Sequence, residues 1–140
     1  MTARDYLSRV YRLNDRINSY LAELDDWRAL ACSIGGSSFE EKRRGTRSTD
    51  PPFVRAIEKI DCLEREITVE IEKLITLKKE INEAIRSVPD NREQALLRYR
   101  YINNYTWEKI GVLMNTSERT ARRMHGAALS HFKVPEKSTD

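Results

Sequence analysis

Apolar residues at heptad spacing govern the first quarter of this chain. Ala3, Tyr6, Val10, Leu13, Ile17, Tyr20, Leu24, Trp27, Ala31 and Ile34 follow one another at alternating intervals of three and four. That spacing puts them on one stripe of an α-helix, and a stripe of this kind needs another helix to cover it. The pattern predicts a helix over roughly residues 2–34. Thr2 is placed to cap it with Asp5 three residues on, and Gly35-Gly36 to stop it. A second pattern follows, in which Phe53, Ile60, Ile67, Leu74, Ile81 and Val88 recur every seven residues. Ala56, Leu63, Leu77 and Ala84 fill the companion positions, which Glu70 interrupts. This predicts a second helix over roughly 53–87, with Pro52 at its start and Pro89 at its end.

Each helix would be about 50 Å long at 1.5 Å per residue. Their equal lengths predict an antiparallel hairpin. Leu7 and Leu21 lie one place beyond the d positions, and Ile57, Ile71 and Ile85 broaden the second face in the same way. A stripe this wide exceeds what one partner helix covers. It calls for a second hairpin from another chain, hence a homodimer or higher homo-oligomer, or for the C-terminal segment docked on one end. Residues 35–52, rich in Gly, Ser and charge, read as a flexible loop. Its basic cluster of Lys42, Arg43, Arg44 and Arg47 is a solvated surface unless it meets phosphate.

Beyond Val88 the pattern changes to three short helices. Asp90-Asn91 can cap a helix over about 92–102, which Asn103-Asn104 breaks. Thr106 is placed to cap a helix over 107–114, Asn115 to turn the chain, and Ser117 to cap a last helix to about 132. Helix, tight turn and helix is the helix-turn-helix pattern. The expected fold is therefore all-α: a long, coiled-coil-like helical hairpin over 1–88, a three-helix helix-turn-helix domain over 89–134 and a polar tail over 135–140.

Charge singles out the same segment. The chain carries 25 Lys and Arg against 22 Asp and Glu, and the excess concentrates at residues 92–133, which are +5 net. A basic helix-turn-helix fits double-stranded DNA as partner. On the last helix, Ala121, Met124 and Ala128 face inward. Glu118, Arg119 and Arg122 face out, with Thr120 beside them and Arg123 near the edge. Arginine suits guanine edges or phosphate, and glutamate can accept from cytosine. Ser117, with the free N–H groups of the helix start, and Thr106 suit phosphates. Trp107 reads as core, His125 as a half-buried packing residue, and Arg92 lies away from the motif.

The run NNYTWEKIGVLMNTSERTARRMHGAALSHF, from Asn103 to Phe132, resembles region 4 of the sigma-70 family. The shared features are Thr106, Trp107 and Ile110-Gly111, then Ser117, Arg122 and Arg123, then Ala128-Leu129. The preceding Leu96 to Tyr101 resembles the helix before that motif. The resemblance implies a helix-turn-helix that reads promoter DNA and contact with RNA polymerase. The first 88 residues lack the family's promoter-melting region. The layout instead resembles small phage-encoded transcriptional regulators of Gram-positive bacteria.

The sequence has no GxxxxGK[ST], GxGxxG, GxSxG or HExxH motif, so no enzyme and no cofactor is expected. Cys32 and Cys62 fall off the heptad seam and should be free thiols, and two histidines leave little for a metal. No apolar run approaches the roughly 18 residues of a membrane span, and the default location is cytoplasmic. The expected function is transcription regulation by DNA binding. Two alternatives share the layout: a phage small terminase subunit, and a coiled-coil adaptor that binds protein rather than DNA.

Overall fold

The computed structural model describes residues 1–37 and 51–136, and every regular element among them is helical. In chain order these are α1 (Ala3–Ser37), α2 (Pro52–Ile85), α3 (Asn91–Leu97) with a π-helical turn (Arg98–Ile102), α4 (Trp107–Leu113) and α5 (Glu118–His131). The basic cluster at 42–47 and the last four residues lie outside the described residues. The local signals explain most boundaries. The Thr2 hydroxyl accepts from the Asp5 N–H at 3.1 Å, as its capping position requires. Pro52 opens α2, where its fixed φ fits and its missing N–H costs nothing. The Asp90 carboxylate accepts from the Arg92 N–H at 2.8 Å and caps α3.

Two local expectations need correction. Gly35-Gly36 does not stop α1, which continues to Ser37. Glycine weakens a helix by only about 1 kcal/mol per residue, too little to end one by itself. The helix over 92–102 is not α-helical throughout, because its last five residues widen into the π turn, in which the Asn103 N–H reaches the Arg98 carbonyl at 3.0 Å. Asn104 leaves this turn at φ 59°, a left-handed conformation that asparagine tolerates.

The packing divides the chain into two compact units, residues 1–14 with 73–140, and residues 15–72. In the first unit Tyr6, Leu7 and Val10 of α1 meet Ile81, Ala84, Ile85 and Val88, and Leu97, Tyr101, Ala128 and Phe132 complete the core. Burying one large apolar side chain is worth about 1.5–3 kcal/mol. The short helices thus share this core with the ends of the hairpin. Tyr6 donates to the Glu80 carboxylate at 2.9 Å, and Tyr11 donates to the Arg100 carbonyl. Burial pushes both phenols up to about 12, with the Glu80 carboxylate helping at Tyr6, so both remain protonated donors.

The second unit is antiparallel helix on helix. Leu24, Leu63 and Ile67 form its buried centre, with Tyr20, Trp27 and Ile60 around them. Glu70, which interrupts the heptad, is buried to 5% exposure and answered by Arg16 at 3.7 Å. Glu23–Lys59 and Arg28–Glu64 add exposed pairs at 3.9 and 3.7 Å. Cys32 and Cys62 are exposed free thiols. No helix among the described residues is long and apolar enough to cross a membrane.

Candidate nucleic-acid interface

α4, the turn and α5 form a compact corner, which closes a small core of Ile110, Met114 and Ala121 with Leu96 of α3. The turn is tight for identifiable reasons. Asn115 sits at φ 57°, and the Thr116 N–H reaches the Gly111 carbonyl at 2.9 Å. A Cβ at Gly111 would lie 2.9 Å from the Thr116 carbonyl oxygen and 3.4 Å from the Glu118 nitrogen, so glycine lets the two helices approach here. The Thr106 hydroxyl accepts from the Lys109 N–H at 3.2 Å and starts α4. The Ser117 hydroxyl accepts from the Thr120 N–H at 3.1 Å and starts α5, and it donates to Thr120 Oγ1 at 2.8 Å.

The sequence-predicted residues fall on two elements. Ser117, Glu118, Arg119, Thr120, Arg122 and Arg123 gather at the cap and N-terminal half of α5, while Thr106 stands apart at the start of α4. Glu118, Arg119, Arg122 and Arg123 are exposed, and Thr120 is half-buried. Ala121 and Ala128 are buried beneath them. Arg122 and Glu118, both facing out, pair with each other at 2.9 Å. An exposed i,i+4 pair is worth about 0.3–0.5 kcal/mol, so it yields readily to a stronger partner. The Ser117 hydroxyl is already committed to its cap.

The support under α5 was only partly legible. His125 is buried to 7% exposure rather than half-buried. Its Nε2 lies 2.7 Å from the Tyr101 hydroxyl, and Trp107 packs edge-on against its ring at 4.8 Å between centroids. Burial, then the charges of Arg4 and Arg100, push the imidazole down to about 4, so it stays neutral at physiological pH. Trp107 is partly buried against the small core, with Arg100 over its ring at 4.6 Å and Arg122 at 6.0 Å. Arg100 also donates to the Tyr105 carbonyl at 3.0 Å. Arg92 is not remote from the motif, because its guanidinium donates to the Met114 carbonyl at 3.2 Å and ties α3 to the end of α4. Nothing in the local sequence around Arg92 signals its bond to a carbonyl 22 residues away. Among the described residues no cluster of three His, Cys, Asp or Glu could hold a metal ion.

Searches of curated proteins and of solved structures return no match for this chain. One protein family, described as a protein of unknown function (DUF722), matches over residues 52–133. That span runs from the first residue of α2 to just past the end of α5, more than half of the chain. On that match, the chain belongs to the DUF722 family.

Proposed function

We propose that this protein is a DNA-binding regulator of transcription that reads duplex DNA with α5 and acts as a homo-oligomer. The observation that carries this reading is the outward half of α5. Arg119, Arg122 and Arg123 stand exposed there with Glu118 as the one acid, on a helix set by a tight turn against α4. A major groove admits such a helix, and exposed arginines suit both base edges and phosphates. The sigma region 4-like run from Asn103 to Phe132 supports the same reading, and with it a phage origin, a cytoplasmic location and contact with RNA polymerase.

The test is a fluorescence titration of selected and random duplexes at several salt concentrations. Affinity should fall with salt at a slope of about −0.9 per neutralised phosphate. Arg122→Ala should cost about 1–3 kcal/mol and relax preference at one base pair if it reads an edge. If it meets phosphate alone, all duplexes should weaken alike and the salt slope should shrink by about one. Arg65→Ala, whose exposed guanidinium pairs with Asp61 at 2.6 Å, is the control. A folded triple alanine variant at Arg119, Arg122 and Arg123 that binds selected duplex like the wild type removes α5 from the interface. Absence of any duplex affinity at low salt favours the protein-binding adaptor, and ring stoichiometry in light scattering favours DNA packaging over transcription.

A further inference from the structure

A second charged surface lies away from the arginines of α5, between α2 and the π turn. A groove of about 390 Å³ opens there, with Ile75 and Ile102 as its apolar lining and Lys78, Lys79 and Arg98 around it. Among the described residues none of these three cations forms an ion pair. Ile75 is 54% exposed and offers the groove an apolar surface. Asn82, also in the groove, has its Oδ1 shut off from solvent with no hydrogen-bond partner. That oxygen is closed to solvent, so what the groove offers a partner is its three cations and its two isoleucines.

We propose that this groove binds an acidic peptide segment of a partner protein. Each feature corresponds to a part of such a segment. An apolar side chain covers Ile75 and Ile102, and carboxylates pair with Lys78, Lys79 and Arg98. Nucleic acid fits the cations but not the isoleucines, since phosphates gain nothing from an apolar lining. The proposal does not depend on DNA recognition by α5.

The experiment uses the full chain and a short fluorescein-labelled peptide bearing a leucine flanked by glutamates, read by anisotropy. The same peptide with glutamine for glutamate, and a third with serine for leucine, are the comparisons. The wild type should prefer the first peptide over each of the others by about tenfold or more. Lys78→Glu with Lys79→Glu should abolish that preference, while Arg65→Glu leaves it intact. Lys78→Gln with Lys79→Gln, read beside urea unfolding, separates binding from folding: the unfolding midpoint should stay unchanged while the glutamate peptide weakens several-fold. Equal binding of the glutamate and glutamine peptides, no binding at all, or indifference to the lysine reversals overturns the proposal. So does full displacement of the peptide by random duplex with parallel loss of duplex affinity in the reversed variants, which would make the groove a phosphate contact.

Discussion

Two glycines of the C-terminal unit have opposite surroundings. At Gly111 an added methyl meets backbone at 2.9 Å, whereas at Gly126, inside α5, it meets nothing within 4 Å. Gly111→Ala must push α4 and α5 apart and should cost about 1–3 kcal/mol. Gly126→Ala removes backbone freedom from the unfolded chain and should stabilise by about 0.5–1 kcal/mol. Urea unfolding of both variants checks the pair, and a destabilised Gly126→Ala would contradict the open space above it. His125 sets a pH dependence of definite sign. Its folded value of about 4 lies below the usual 6.5, so the unfolded chain binds the proton more tightly. Stability should therefore be full above about pH 6.5 and fall as pH drops toward 4, by roughly 3 kcal/mol at most from this group. Unfolding midpoints measured across that window should flatten in His125→Gln. An equally steep profile in that variant would assign the loss to other groups.

At the scale of elements, the short helices owe their starts to single side chains. Ser117→Ala and Thr106→Ala each remove a cap bond and should each lower stability by about 1 kcal/mol in equilibrium unfolding. Midpoints unchanged in both variants would mean that tertiary packing alone fixes these helix starts. The caps were legible in sequence because they act within three residues. The π turn was not, since Arg98 to Ile102 also fits an ordinary helical spacing. Tertiary bonds accompany the wider turn, from Tyr11 to the Arg100 carbonyl and between Tyr101 and His125. On α1 the heptad register marked a seam of which half is core: Tyr6, Val10, Ile17, Leu24 and Ala31 are buried at 5% exposure or less, while Ala3, Leu13, Tyr20, Trp27 and Ile34 are half-buried.

For the molecule as a whole, the broadened stripe separates two outcomes. In the unit of residues 1–14 and 73–140, Leu7 and Ile85 are fully buried in the core that α5 and Tyr101 complete. In the unit of residues 15–72, Leu21, Ile57 and Ile71 are 40%, 45% and 39% exposed. A groove lined by Ala31, Cys32, Phe53, Ile57 and Ile60 opens on the same unit. Apolar residues grouped in this way mark association surfaces, and the expected outcome is self-association through this unit. Ile57→Asp with Ile71→Asp should lower the mass seen in sedimentation without unfolding the chain. Leu24→Asp, at a site 4% exposed, should instead cost several kcal/mol of folding stability by burying a charge. A wild type that sediments as a monomer at micromolar concentration rejects this expectation.

The sequence by itself determined the helices, their pairing and the corner of α4 and α5. These follow from heptad spacing, from caps and from Asn115, all of which act within a turn or two of helix. It also determined which residues of α5 face outward, because a 3.6-residue repeat leaves one face opposite Ala121 and Ala128. The tertiary structure alone decided that the hairpin ends and the short helices share one core, since Leu97, Tyr101, Ala128 and Phe132 are buried against residues of both long helices. It alone brought Arg92 to Met114, buried His125 against Tyr101 and Trp107, and set Lys78, Lys79 and Arg98 around an orphaned Asn82 oxygen. Those contacts join residues up to a few tens of positions apart, and no local periodicity encodes which of two such side chains will meet.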